Sequence, residues 1–206
     1  MDSYFRWFGL PGSVVLTMLL SAFAFILAVL QPTPVRWICF SAMLLSSVGD
    51  VFLARFRGLD RIFPNYFVIG AAFFMAAHLF YILCYGMKIR AAGTSFWNPG
   101  AWTAILIGIA AAAAFVFLCR SAGNTSVLPL ILIYAVIIFA NCAAVFSFAF
   151  GQGFRYASAI CAVVGVVSFL LSDIVIGLGI AGNIHRYDYL IWWLYPIGQI
   201  LLILGV

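Results

Sequence analysis

Long apolar runs of about twenty residues, separated by short clusters of Gly, Pro, Asn, Asp and Arg, set the pattern of this chain. A run of that length crosses the roughly 30 Å hydrocarbon core of a bilayer as an α-helix. The pattern predicts seven such helices, over residues 12–30, 35–54, 66–86, 100–119, 127–150, 156–179 and 189–204. The separators carry turn signals or charge: Gln31-Pro32-Thr33-Pro34, the basic stretch 55–61, then 88–99, 120–124, 151–155 and 182–188. Lipid offers the backbone no hydrogen-bond partner, so only helices or closed barrels span it, and barrel strands would alternate in polarity. The expected fold is therefore all-α: a multi-pass transmembrane helix bundle of about seven spans, forming a single integral membrane domain over 1–206.

Composition sharpens this picture. Of 206 residues, 67% are hydrophobic and only 7% charged, against roughly 25% charged in soluble domains. Seven spans would use most of the chain, which excludes an extramembrane catalytic domain. The net charge of +5 is spread over tails and loops. That distribution fits membrane lipids as partners and not nucleic acid. Lys and Arg near the span ends favour a cytoplasmic N-terminus by six (Arg6, Arg55, Arg57, Arg61, Arg120, Arg186) to four (Arg36, Lys88, Arg90, Arg155). The first run is long enough to span, so a helix is expected there and not a cleaved leader. Cys39, Cys84, Cys119, Cys142 and Cys161 are scattered through apolar runs and read as small packing residues.

The candidate chemistry lies in the few polar residues inside the spans. There is no Glu, and Asp2, Asp60 and Asp188 fall in tails or loops, which leaves Asp50 and Asp173 as the intramembrane carboxylates. An Asp deep in a spanning helix costs roughly 2.5 to 3.5 kcal/mol on insertion scales and normally faces the protein interior with a partner. The second and sixth spans run in the same direction, and both carboxylates are expected some 6 to 9 Å inside the same face, at about 1.5 Å per residue. His78 and Tyr81, at i and i+3 of the third span, and Tyr195 and Gln199, at i and i+4 of the last, approach from that side. Ser46, Ser47, Ser168 and Ser172 flank the two carboxylates. Each of these groups also has a plainer reading, as an interhelix hydrogen bond or small-residue packing.

Several patterns lead nowhere. Gly177-x-Gly179-x-x-Gly182 spells a dinucleotide fingerprint but follows no strand and closes a helix. The sequon Asn124-Thr125-Ser126 lies on a short loop of the side read as cytoplasmic. A zinc site would want about three His, whereas His185 is in a loop and only His78 in a span.

In order along the chain, the polar patches are Ser47-Val48-Gly49-Asp50-Val51-Phe52-Leu53, His78-Leu79-Phe80-Tyr81, Ser172-Asp173 and Tyr195-Pro196-Ile197-Gly198-Gln199. This set resembles the YhhN family of multi-spanning membrane lysoplasmalogenases over nearly the whole chain. Members commonly have eight spans, and the Lys-Pro often found near an early helix is Leu10-Pro11 here. The resemblance implies hydrolysis of the vinyl ether bond of lysoplasmalogen, giving a fatty aldehyde and glycerophosphoethanolamine or glycerophosphocholine.

On that reading Asp50 and Asp173 form the catalytic acid and anion, with His78 beside them, and Tyr81, Ser172, Tyr195 and Gln199 bind the lysophospholipid substrate. No metal or other cofactor is implied. The membrane would be the cell membrane of a bacterium or an endoplasmic reticulum-type membrane of a eukaryote. A proton-coupled transporter or channel is the main rival, since intramembrane Asp and His also build proton relays. Against it, the carboxylates gather towards one face, although Asn141 lies mid-span.

Overall fold

The computed structural model describes residues 6–7, 10–119 and 128–206. Asp2, Arg120, the sequon Asn124-Thr125-Ser126 and Val127 lie outside them. The helices are α1 (Gly12–Leu30), α2 (Pro34–Leu53), the four-residue α3 (Leu59–Ile62), α4 (Tyr66–Ala91), α5 (Pro99–Cys119), α6 (Leu128–Gly151), α7 (Ala157–Gly182) and α8 (Ile191–Gly205). Among the described residues, seven stretches are long and apolar enough to cross a membrane: α1, α2, α4 to α7, and Asp188–Gly205, which adds a 3₁₀ turn to α8. The protein is thus an all-helical integral membrane protein. Among the described residues the one strand pairing is a two-residue antiparallel pair, Arg6–Trp7 with Leu10–Pro11.

Local chemistry sets the helix ends. Thr33 caps α2, its hydroxyl accepting from the Arg36 N–H at 3.3 Å, with Pro34 in the first turn. Asn98 does the same for α5, its Oδ1 accepting from Gly100 N at 2.9 Å and Ala101 N at 3.3 Å. These are the side-chain partners that the orphan N–H groups of a helix start require. The C-terminus of α7 is closed by Asn183 in the left-handed conformation, φ 50°, whose N–H reaches the Leu178 carbonyl. Asn tolerates that conformation better than most residues.

Two spans run past their predicted ends. α4 continues beyond Gly86 to Ala91 and α7 beyond Gly179 to Gly182. A single Gly weakens a helix by about 1 kcal/mol but does not stop one. Lys88 also remains helical because its ammonium donates to the carbonyls of Gly205 at 2.8 Å and Val206 at 2.9 Å, at the C-terminus of α8. A cation is favourable at that negative end of a helix.

The chain packs as two compact units that divide within α4, between Cys84 and Tyr85. In the first, α1 and α2 are joined by hydroxyls: Ser21 and Ser47 are 2.7 Å apart, and Ser47 donates to the Thr17 carbonyl at 2.9 Å. α2 and α4 pack closely because two glycines omit a Cβ. A Cβ on Gly49 would lie 2.8 Å from the Phe74 ring and 3.2 Å from the Gly70 carbonyl oxygen, and one on Gly70 would lie 2.9 Å from Leu53. Farther along the same antiparallel pair, Cys84 Sγ donates to the Val35 carbonyl at 3.4 Å.

The second unit repeats the device between α7 and α8. A Cβ on Gly198 would lie 2.9 Å from the Phe169 backbone nitrogen, one on Gly165 2.8 Å from that of Leu202, and one on Gly205 2.9 Å from Ala162 Cα. Small residues allow such approach where hydrophobic burial cannot drive association, as between helices in lipid. Loop residues tie α5 to α6: Asn98 donates to the Ser147 carbonyl at 2.8 Å, and Ser147 Oγ to the Phe96 carbonyl at 2.7 Å.

Candidate functional site

Two polar patches emerge, one in each unit. In the first unit Asp50 sits three residues before the end of α2 and is buried. One face of α4 is buried in an i, i+3, i+4 sequence: Phe74, Ala77, His78, Tyr81 and Cys84. The approaches of Gly49 to Gly70 and Phe74 fix the register of α2 against this face. In that register Asp50 is on the order of 7 to 14 Å from His78 along the helix axis, at 1.5 Å per residue. Each Cα–Cβ bond leans towards its own helix N-terminus, which in an antiparallel pair shortens that interval. The His78 and Tyr81 rings have their centroids 6.5 Å apart. Ser46, one turn before Asp50, has its hydroxyl buried with no hydrogen-bond partner among the described residues.

In the second unit the α7–α8 seam carries the rest. Its contacts pair Ala162 with Gly205, Gly165 with Leu202 and Phe169 with Gly198. Continuing that register one turn sets Ser172 opposite Tyr195, with Ser168 opposite Gln199. The Tyr195 ring packs edge-on to Phe169 at 5.4 Å, and Gln199 Nε2 donates to Tyr195 Oη at 3.4 Å. Gln199 and Ser172 are fully buried, and the Ser172 hydroxyl has no partner among the described residues. Asp173, the next residue, turns to α6: Tyr134 Oη donates to its Oδ2 at 2.6 Å.

The structure thus brings Ser172 to the seam that carries Tyr195 and Gln199, and puts Asp50, His78 and Tyr81 on the α2 and α4 elements of the other unit. Sequence reasoning missed Tyr134. It lies seven positions before Asn141, which places both on one face of α6 with Ile138 between them, but a tyrosine in an apolar run is no signal by itself. Each helix end also differs in distance from its carboxylate. Asp50 is three residues from the end of α2, whereas Asp173 is nine from the end of α7. Expected depths taken from predicted ends were closer together because the extra turn of α7 was not foreseen. A 26-residue helix, about 39 Å long, exceeds the hydrocarbon core, so its end does not by itself mark the membrane boundary.

Phe74 fills the α2–α4 seam against Gly49, Phe52 stacks on Phe73 at 5.8 Å, and Trp193 is exposed. Among the described residues no group of three His, Cys, Asp or Glu gathers to hold a metal. His185 instead pairs with Asp188 at 3.1 Å and Asn183 at 3.2 Å in the turn between α7 and α8. All five cysteines are free, four of them buried, as small packing residues are expected to be.

With these patches located, comparison with protein families is decisive. The YhhN family model matches residues 12–206, from the first residue of α1 to the last of the chain. The chain belongs to the YhhN family. No curated protein and no solved structure matches it. The four polar motifs of this YhhN protein all fall within the matched region: Gly49-Asp50 on α2, His78 and Tyr81 on α4, Ser172-Asp173 on α7, and Tyr195 with Gln199 on α8. The match begins after Leu10-Pro11, so the residues that stand where family members often have Lys-Pro are outside it.

Proposed function

We propose that this protein is a lysoplasmalogenase, an ether hydrolase that converts lysoplasmalogen to a fatty aldehyde and glycerophosphoethanolamine or glycerophosphocholine within the membrane. Membership of the YhhN family over residues 12–206 carries the reading. The placement of both intramembrane carboxylates within matched, membrane-length helices supports it. An enol ether is cleaved when its outer vinyl carbon takes a proton. The ether oxygen then shares the positive charge as an oxocarbenium ion, water adds to the adjacent carbon, and the hemiacetal collapses. A proton donor and an anion meet those needs, as the carboxylate pairs of glycosidases do for a similar ion.

Asp50 and Asp173 are the proposed pair. His78 is assigned to orient a carboxylate or the attacking water. Tyr195 and Gln199, with Ser172 and Tyr81, are assigned to the glycerol and ether oxygens of the lysophospholipid. The test is incubation of purified protein with lysoplasmalogen and, separately, with the ester-linked lysophospholipid. Aldehyde from the first without comparable fatty acid from the second is the expected result. Equal release of fatty acid points to a lysophospholipase, and no release from either sinks the reading.

A further inference from the structure

We propose that Arg55 binds the phosphodiester of the lysophospholipid substrate, at a site on the rim of the first unit where Tyr66 holds its guanidinium. The assignment rests on the vinyl ether reading above and supplies the headgroup contact which that reading left without a residue.

The backbone places Arg55 at a cost. α2 ends at Leu53, and Arg55, two residues beyond, takes the left-handed conformation, φ 50°, with its N–H on the Phe52 carbonyl at 3.0 Å. Helices commonly close on Gly at this position, because a Cβ there crowds the backbone. An Arg in its place gives up that ease and gains a side chain, which the structure holds in one direction. The guanidinium carbon lies over the Tyr66 ring, 4.7 Å from its centroid, and Nη2 donates to Tyr66 Oη at 2.5 Å. Tyr66 opens α4, so the contact ties the end of α2 to the start of its antiparallel neighbour. Phe63 closes the same loop onto α2, its ring 5.7 Å from that of Phe52. Among the described residues no carboxylate pairs with Arg55. Tyr66 takes one guanidinium N–H, and the other donors remain on an exposed side chain whose planar fork matches the oxygens of a phosphate.

The level of this site fits the substrate. α2 has 20 residues and is about 30 Å long, the thickness of the hydrocarbon core, so Arg55 just past its end stands at the level of the headgroups. Asp50, buried in the last turn of the same helix, lies about 7.5 Å deeper, at 1.5 Å per residue. The bonds joining the ether oxygen to the phosphorus of a lysophospholipid extend over roughly 6 Å, at about 1.5 Å each. With the ether linkage at the level of Asp50, the phosphate reaches the level of Arg55 while the tail runs on into the membrane. Arg61, exposed on α3 in the same connection, adds positive charge to the rim.

The test uses the full chain in maltoside micelles, which contain no phosphate, with two substrates: choline lysoplasmalogen and the 1-alkenylglycerol that lacks its phosphocholine. Arg55→Gln should raise KM for the lysoplasmalogen at least about tenfold, with kcat within about twofold, as loss of a charge-assisted contact predicts. Both constants for the alkenylglycerol should stay unchanged. Arg55→Lys, which keeps the charge and loses the fork, should fall between. Arg90→Gln, at an exposed arginine in the last turn of α4, is the control and should be silent. Arg55→Gly guards against misfolding: Gly relieves the left-handed backbone, so this variant should keep or exceed the wild-type thermal midpoint while showing the same rise in KM. A fall in midpoint with losses on both substrates makes Arg55 a structural tie to Tyr66 and overturns the proposal. So does an Arg55→Gln effect that appears only when phosphatidylglycerol is added to the micelles, which makes the residue a contact for bulk anionic lipid.

Binding without turnover separates this site from the reaction. At matched concentration, alkyl-ether lysophosphatidylcholine should raise the thermal midpoint of the wild type more than the corresponding alkylglycerol does, and Arg55→Gln should abolish the difference. Equal shifts from the two lipids in the wild type, or a difference that survives in Arg55→Gln, overturn the site. Failure of the wild type to release aldehyde, with the difference present and abolished by Arg55→Gln, overturns the vinyl ether reading and leaves the phosphodiester site in place.

Discussion

Replacing Asp173 by Asn preserves its volume but takes away the carboxyl group to which Tyr134 donates. The same change at Asp50 takes away the other intramembrane carboxyl group. Each is expected to lower aldehyde release by at least about 10²-fold at matched protein amount, within the range for acid-base groups. Asp60→Asn in α3 and Asp188→Asn in the turn before α8 should change it little. Near-normal turnover in either membrane variant removes that residue from the mechanism. Asp50, His78, Ser172 and Gln199 were legible in the sequence because a polar side chain inside an apolar run is costly and therefore conspicuous. Tyr134 was not, because a tyrosine has an apolar body, and its phenol gains meaning only once Asp173 is seen across the α6–α7 pair. The buried hydroxyls of Ser46 and Ser172 also look alike in sequence to Ser47, which is fully bonded to α1.

Between elements, glycine decides how closely helices lie. Gly198→Ala puts a methyl 2.9 Å from the Phe169 backbone nitrogen, which cannot withdraw as a side chain tip can. Overpacking of this kind costs about 1 to 3 kcal/mol and should lower the thermal midpoint of the purified protein. At Gly86 a Cβ meets nothing within 4 Å. Gly86→Ala should therefore leave the midpoint unchanged or raise it, by up to about 1 kcal/mol of helix propensity. Equal effects at the two positions would show that propensity, not close approach, governs the seam. The positions of the seven spans were readable from apolar run length alone, to within a few residues. The ends of α4 and α7 were not, because they depend on tertiary partners such as the α8 carbonyls that receive Lys88. Lys88→Met should accordingly lower the midpoint without affecting insertion.

For the whole molecule, seven membrane-length helices predict that the protein stays with the membrane pellet through an alkaline carbonate wash and needs detergent for release. Selectivity is argued at the same scale. The sequence holds no Gly-x-Ser-x-Gly turn, so no nucleophile elbow is evident for attack on an ester carbonyl. An alkyl ether forms no oxocarbenium ion on protonation of its chain. Alkyl-ether lysolipid should therefore compete with lysoplasmalogen without being cleaved, measured as inhibition of aldehyde release with no product of its own. The length of α7 adds a dependence on the host bilayer. This 26-residue helix is about 39 Å long, some 9 Å more than an average hydrocarbon core. It must tilt, stretch the surrounding lipid or project from it, each at a cost of fractions of a kcal/mol per Å of mismatch. Asp173 rides on that helix nine residues from its end, so the thickness of the bilayer sets how far this carboxylate stands from water. A membrane protein built this way is tuned by the tail length of the lipids around it.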